Sequence, residues 1–236
     1  MSSQTSFKYL DIVASFFVVI LVISNIASSA KIVDIGISLF SIPLAFDGGT
    51  LLFPFVYVLG DVLTEVYGFK TARRVIWTGF AAMALTALVF FTLGVLPPEE
   101  NWESETGAAA YNAILGGMSY GGIVLASLTA YLAGEFSNAA VLSKLKVKMK
   151  GRLLFVRTIG STLVGELLDT VIFVLIASAA GVFGWELFWP LVLTNYILKC
   201  GIEAIVTPFT YWASRFLKRK EGVDVYDEAV KTNPAP

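Results

Sequence analysis

The chain has 236 residues, of which 56% are apolar and only 15% are charged, and its formal net charge is −1. An average soluble domain carries about 25% charged residues, and one of this length could not bury so much apolar surface. This composition excludes a soluble enzyme, and the lack of a basic field excludes a nucleic-acid-binding domain. One Cys and no His exclude a disulfide framework and the common metal sites. We therefore predict an integral membrane protein with no metal, no cofactor and no nucleic-acid partner.

Six apolar stretches predict six transmembrane helices. Three contain an uncharged run of about 18 residues or more, which is enough to cross a bilayer, and three equally apolar ones carry acids or a lysine. The predicted spans are roughly 10–30, 50–68, 75–96, 113–140, 157–181 and 188–214. The expected fold class is thus an all-α integral membrane protein. Residues 1–217 form a single six-helix domain, and residues 218–236 form a cytoplasmic tail, first basic and then polar, which we expect to be disordered.

The distribution of positive charge predicts the orientation. All but two of the 17 Lys and Arg residues lie in the two terminal segments, in the loops after the second and fourth spans, or at the start of the fifth span. These places share one face if six spans alternate. We therefore predict a multi-pass protein of the cytoplasmic (inner) membrane with both termini in the cytoplasm.

Two short patterns recur in the same order in the two halves of the chain. The first, S-N-x-A-x-x-x-K, occurs at 24–31 and 137–144. The second is a glycine followed by an acid, two aliphatic residues and a further acid three or four positions after the first, and it occurs as G-D-V-L-T-E at 60–65 and G-E-L-L-D-T at 165–170. Because each half has three spans, the halves must be inverted relative to each other. The sequence thus predicts an inverted 3+3 repeat, an architecture of secondary transporters that places the substrate near the midplane.

Ionisable residues inside the predicted spans are the main candidates for function. They are Asp61, Glu65, Glu135, Glu166, Asp169, Glu203 and Lys199. An ionised side chain at a helix centre costs about 2.5–3.5 kcal/mol on insertion scales, so such residues normally line a pathway. Lys199 and Glu203 share a helix face because they are four residues apart. Glu203 is therefore the expected partner of Lys199, with Asp169 as the alternative.

The other acids differ in how readily an ion pair explains them. Glu65 is close in sequence to Lys70 and Arg73–Arg74 and is either their ion-pair partner or a ligand-binding group. Glu135 either binds substrate or faces the basic loop that follows its span. Asp61 and Asp169 have no such nearby base and lie about halfway along their spans. We predict that these two form the centre of a binding site.

Uncharged polar and aromatic residues accompany these acids in the spans. The candidates are Asn25, Asn138, Ser161, Thr162, Thr170, Phe173 and Tyr196. The polar ones could instead bridge helices, and Phe173 either stacks on a flat ring or packs against helices and lipid.

The motifs resemble those of the queuosine precursor transporter family, also called the VUT family. The resemblance rests on F-P-F-V-Y-V-L-G-D-V-L-T-E-V-Y-G at 53–68, on the A-R-R that follows, and on stretches at 134–138, 157–170 and 195–199. It covers about residues 8–217. It implies import of a small molecule, namely 7-cyano-7-deazaguanine, 7-aminomethyl-7-deazaguanine or queuine. Asp61, Asp169, Tyr196 and Lys199 carry over from the family pattern more securely than Glu65 and Glu166.

Two alternatives remain open at this point. One is the substrate-binding subunit of an energy-coupling vitamin transporter, which needs a separate ATPase. The other is an intramembrane aspartyl protease, although the usual G-x-G-D context is missing around Asp61 and Asp169. The expected partners are the small-molecule substrate and the lipid bilayer. A homodimer is also compatible with the sequence.

Overall fold

The structure is a computed structural model that describes residues 7–39, 42–119, 121–181 and 184–226. Within these residues it contains eight α-helices and one two-stranded sheet. In chain order they are α1 (Leu10–Ala30), β1 (Ile32–Leu39), β2 (Ile42–Asp47), α2 (Phe53–Tyr67), α3 (Phe69–Val95), α4 (Glu100–Glu105), α5 (Gly107–Ser119), α6 (Gly121–Lys148), α7 (Leu154–Ala179) and α8 (Phe188–Glu221). Two short 3-10 turns, Gly48–Leu51 and Trp185–Leu187, precede α2 and α8.

Five helical stretches are long and apolar enough to cross a membrane. They are α1, α3, residues 107–148 with α5 and α6, α7, and residues 185–221 with α8. Large apolar side chains on these helices are exposed at the outer surface, for example Leu88, Leu125 and Ile205. Large apolar side chains exposed on helices of this length fit contact with the hydrocarbon core of a membrane. The five stretches correspond to the first, third, fourth, fifth and sixth predicted spans.

Helix α2 corresponds to the second predicted span and is shorter than the others. Pro54 stands in its first turn, where the missing N–H costs no hydrogen bond. Gly68 ends the helix with a φ of 83°, a conformation that favours glycine. The 15 residues of α2 extend about 22 Å, against a hydrocarbon core of about 30 Å. Almost all of α2 is buried among the other helices.

The connection between α1 and α2 contains an antiparallel hairpin that the sequence analysis leaves as a loop. Strand β1 pairs with β2 from Ile32 opposite Asp47 to Leu39 opposite Ile42, with an irregularity between Asp34 and Ser38. Apart from this hairpin, every regular element in the described residues is helical. The backbone N–H of Gly48 donates to the carbonyl of Lys31 at 2.8 Å, which brings the start of α2 back to the end of α1.

Contacts between distant segments define two ends of the helix bundle. At one end, the backbone N–H groups of Lys8 and Tyr9 donate to the Glu221 carboxylate at 2.8 and 2.7 Å, and the Tyr67 hydroxyl donates to it at 2.9 Å. The start of α1 and the ends of α2 and α8 therefore meet there. At the other end, the Ser29 hydroxyl donates to the carbonyl of Ile114 at 2.6 Å, so α1 ends beside α5.

The C-terminal part of the chain differs from the predicted domain boundary. Helix α8 continues to Glu221, so the predicted boundary after residue 217 falls within it. Residues 227–236 of the predicted disordered tail lie outside the described residues.

Helices α6 and α7 approach each other closely at two glycines. A Cβ on Gly134 would lie 2.8 Å from the Asp169 Cβ and 3.2 Å from the Gly165 carbonyl oxygen. A Cβ on Gly165 would lie 2.8 Å from the Asn138 Cβ and 3.0 Å from the Gly134 carbonyl oxygen. This crossing places Asp169 against Gly134 and Asn138 against Gly165, so both polar side chains lie where α6 meets α7.

Candidate functional site

Five acids from four helices form a buried group in the bundle, which we call the central cluster. Its acids are Asp61 on α2, Glu135 on α6, Glu166 and Asp169 on α7, and Glu203 on α8; it also includes Tyr57, Asn138 and Lys199. Each of the five acids is at most 6% exposed. Glu135 interacts electrostatically with all four of the others. The structure therefore brings the predicted pair Asp61 and Asp169 into one group of charges.

Lys199 is the cation of the central cluster, and it contacts α7. Its Nζ lies 2.5 Å from Asp169 Oδ2 and 3.3 Å from Glu166 Oε2. The same Nζ lies 4.4 Å from the centre of the Phe53 ring. The expected pair with Glu203 is therefore wrong, and the alternative partner, Asp169, is the one observed. Four-residue spacing puts two side chains on one face of a helix, but the long lysine reaches across to the neighbouring helix instead.

Glu203 consequently forms no ion pair with any cation that the structure describes. Both of its carboxylate oxygens are buried, and neither has a hydrogen-bond partner within the described ranges. Glu203 interacts electrostatically with Asp61 and Glu166, which carry the same charge when ionised. Its spacing from Lys199 predicts an ion-pair partner rather than a ligand-binding group, so Glu203 is not among the predicted binding residues. A pairing rule based on one helix cannot show that Lys199 is already engaged elsewhere.

Asp61 is held by one hydrogen bond and retains free acceptor capacity. Asn138 Nδ2 donates to Asp61 Oδ1 at 2.8 Å. Asp61 Oδ2 and Asn138 Oδ1 are buried and have no hydrogen-bond partner in the part of the chain that the structure describes. An unpaired buried polar atom costs about 1–3 kcal/mol. These two oxygens are groups that a ligand with N–H donors would satisfy.

Hydroxyl groups extend the polar lining along α7 and α2. The side-chain oxygens of Thr162 and Thr170 are buried and lack a hydrogen-bond partner among the described residues. Tyr57, which the sequence analysis does not single out, is 2% exposed and interacts electrostatically with Glu135, Glu166, Asp169 and Glu203. Tyr57 lies four residues before Asp61 and therefore on the same face of α2, which is the signal that could have identified it.

Several other predicted site residues make local or peripheral contacts. The Ser161 hydroxyl donates to the carbonyl of Thr158 at 2.9 Å, one turn earlier in α7. Asn25 Nδ2 donates to the carbonyl of Leu21 at 2.9 Å and contacts the Met83 sulfur at 3.8 Å. The Tyr196 hydroxyl donates to the carbonyl of Leu163 at 3.1 Å. Phe173 is half-buried on α7.

Glu65 lies in a second group of charges at the end of the bundle where the start of α1 meets the end of α8. Its carboxylate receives two hydrogen bonds from Arg157, one of them at 3.1 Å, and one from Lys218 at 2.6 Å. Lys146 Nζ is 4.0 Å from Glu65 Oε1 and 2.6 Å from Asp224 Oδ1. We call these five residues the terminal cluster. The bases predicted to be near Glu65, at positions 70, 73 and 74, form no ion pair with it in the described residues.

A bundle of apolar helices that encloses five acids and a lysine is the architecture of a multi-pass membrane transporter, because charged groups within a membrane line substrate pathways. Comparison with known sequences identifies the family. The chain belongs to the family described as "Putative vitamin uptake transporter", whose sequence model matches residues 47–213. Its proteins are transporters rather than enzymes.

Individual relatives carry a more specific name. The "Probable queuosine precursor transporter" of Bacillus subtilis (strain 168) is 29% identical over 174 residues, which is 73% of either chain. The "Queuosine precursor transporter" of Escherichia coli (strain K12) is 26% identical over 182 residues, or 76% of either chain. No solved structure matches the chain. The family resemblance given by the sequence motifs is thus confirmed.

Proposed function

We propose that this protein carries a 7-deazaguanine precursor of queuosine into the cell and binds it at the central cluster. The substrate is 7-cyano-7-deazaguanine, 7-aminomethyl-7-deazaguanine or queuine. The observation that carries the proposal is the surplus of buried acceptors around Asp61, Asn138 and Glu203. The names of the relatives support the same class of substrate and favour a carrier over an energy-coupling subunit.

The chemistry of the base matches this surplus. A guanine-type edge presents a ring N–H and an exocyclic amine, and one carboxylate can accept hydrogen bonds from both. Proteins read extruded bases by such edge contacts combined with stacking. Asp61 Oδ2 and the two oxygens of Glu203 are buried acceptors without a partner among the described residues. The aminomethyl form also carries a positive charge, which a group of five acids and one lysine favours.

The proposed topology has six crossings, with α2 as the short one, and both ends in the cytoplasm. The contacts of Lys8 and Tyr9 with Glu221 support an even number of crossings, since they hold the start of α1 beside the end of α8. Fusions test this directly. Green fluorescent protein after Pro236 should fluoresce, and alkaline phosphatase inserted between α3 and α5 should be active. The opposite pattern would contradict the proposed orientation.

Uptake by the purified protein alone tests the function. Proteoliposomes that contain only this protein should take up labelled precursor unchanged, and those with the Asp61→Asn variant should take up far less at the same low concentration. Glu100→Gln, which removes an exposed acid of α4, is the matched control and should transport normally. A requirement for added ATPase subunits would identify an energy-coupling subunit instead. A chemically altered product would identify an enzyme.

We further propose that transport is equilibrative and that the cell traps the base by incorporating it into tRNA. The chain has no His, so proton coupling would have to use carboxylates, and the central acids already serve as acceptors for the base. Under an inward proton gradient, label should stop accumulating when the inside and outside concentrations are equal. Accumulation beyond equality that an uncoupler abolishes would contradict this and would point to Glu135 or Glu166 as the proton site.

A further inference from the structure

A cavity of about 670 Å³ opens between the start of α7 and the last turns of α8, on the outer side of the terminal cluster. It is separate from the central cluster, because Glu65 is the only acid among the residues that line it. The cationic and hydroxyl side chains in its lining are those of Arg152, Arg157, Tyr211, Ser214, Arg215 and Lys218. Four cations and one acid give the cavity a strong positive charge.

Two of these cations are already neutralised, and two are available to a ligand. Arg157 and Lys218 both bind the Glu65 carboxylate. Arg152 and Arg215 form no ion pair within the described ranges. The described contact of the Arg215 guanidinium is with the face of the Tyr211 ring, 4.2 Å away, which leaves its N–H donors free to bind an anion.

Neutral donors converge on the same cavity. The Ser214 hydroxyl is buried, its residue is 1% exposed, and its oxygen has no hydrogen-bond partner in the described part of the chain. Helix α7 begins at Leu154, which lines the cavity, and no side chain caps this end of the helix. The first N–H groups of a helix have no intrahelical partner, and they attract anions. A buried hydroxyl, a helix start and two guanidinium groups thus face one space.

We propose that this cavity binds a phosphate group. Arginine forks bind phosphate through paired charge-assisted hydrogen bonds, and a hydroxyl with helix N–H groups supplies the remaining donors. The phosphate belongs to the headgroup of an anionic phospholipid or is free phosphate. The surroundings suit a lipid. Leu153 lines the cavity and is 65% exposed, and Phe155 and Trp212, which directly follow the lining residues Leu154 and Tyr211 in the chain, are 55% and 58% exposed. Basic pockets between transmembrane helices bind anionic headgroups in the same way.

Thermal stability of the purified full-length protein in detergent tests the proposal without reference to transport. Short-chain phosphatidylglycerol is titrated in one arm and inorganic phosphate in the other, with phosphatidylcholine as the neutral probe. We expect Tm to rise with phosphatidylglycerol and not with phosphatidylcholine. If inorganic phosphate raises Tm and phosphatidylglycerol raises it no further than inorganic phosphate does, free phosphate is the occupant.

Matched variants test whether the rise in Tm comes from binding in the cavity. The double variant R152Q/R215Q should raise the half-saturating concentration of the phosphate probe at least about tenfold, because it removes both guanidinium groups that are free of ion pairs in the described residues. The control K144Q/R219Q removes the same charge from exposed positions outside the cavity and should bind like the parent. Ser214→Ala keeps the fold and every charge and should weaken binding severalfold, which tests the site even if the double variant does not fold. Equal responses of R152Q/R215Q and K144Q/R219Q, or no response of the parent to either phosphate probe, would overturn the proposal.

Discussion

The central and terminal clusters are built on the same four helices and have opposite charge balances. Helices α2, α6, α7 and α8 each contribute to both groups. In the terminal cluster one buried acid, Glu65, is surrounded by three cations and has its hydrogen bonds satisfied. In the central cluster five acids accompany one lysine, Lys199, which pairs with two of them, and several buried acceptors have no partner in the described residues. The first arrangement stabilises the bundle, whereas the second is suited to binding a ligand rich in donors.

The largest effect on stability should come from breaking the terminal cluster at its acid. Glu65→Gln leaves Arg157 buried without a charge partner, and loss of one member of a buried pair costs about 3–5 kcal/mol. The free energy of unfolding in detergent should fall by that amount. Glu100→Gln removes an exposed acid and should change it by less than about 0.5 kcal/mol. A Glu65→Gln protein as stable as this control would show that the terminal cluster is not structural.

A smaller loss is expected when the cation of the central cluster is removed. Lys199→Met leaves Asp169 and Glu166 without a base. We expect a loss of about 2–3 kcal/mol, at the low end for a broken buried pair, because the Lys199 side chain is 15% exposed. Adding Asp169→Asn should recover stability, since it removes the acid that Lys199 contacts. Adding Glu203→Gln should recover less, and equal recovery by both would contradict the observed pairing.

The central acids should affect binding more than stability. Asp61→Asn preserves the shape of the side chain and an acceptor for Asn138, so Tm should change little. Loss of a charge-assisted hydrogen bond to the base is worth about 1.5–3 kcal/mol, which corresponds to a roughly ten- to hundredfold weaker affinity. Asp169→Asn should weaken binding similarly in an equilibrium binding assay. Parent-like affinity in both variants would refute the central site, and a loss in only one would refute its symmetry.

The smallest change in stability is expected for substitution of Asp224, the half-exposed member of the terminal cluster. Burial raises the pKa of Asp224, but hydrogen bonds from Lys146 and Lys218 outweigh this and hold the pKa below its usual value. The stabilisation is therefore present above the unfolded pKa of about 3.9 and is lost as the pH falls through the lower folded value. Asp224→Asn should cost about 0.5 kcal/mol at pH 7. The difference in Tm between parent and variant should begin to shrink as the pH falls below about 4 and should disappear only below the lower folded pKa of Asp224; a constant difference would exclude ionisation of Asp224 as its cause.

The sequence predicts the positions of helices well where the length of an apolar run is enough to identify a helix, as in α1 and α7. It also predicts which acids are unusual, because a charge within an apolar run is visible without coordinates. It does not predict partners. Lys199 contacts Asp169 on another helix, and Glu65 contacts Arg157 rather than the bases that follow it in the chain. The packing of the helices decides which charged groups a long side chain can reach. That packing depends on close contacts between helices, such as the contact of α6 with α7 at Gly134.

The terminal cluster has a consequence for the order in which the chain is made. Glu65 leaves the ribosome well before the groups that bind it, since Lys146, Arg157 and Lys218 follow 81, 92 and 153 residues later. Glu221 is similarly bonded to Lys8, 213 residues away. The second span therefore enters the membrane with a carboxylate that has no partner until Lys146 and Arg157 have been made, and Lys218 completes the group later. A nascent chain that stops before Lys218 lacks the last cation of this cluster, which gives cellular quality control a chemical difference between truncated and complete copies.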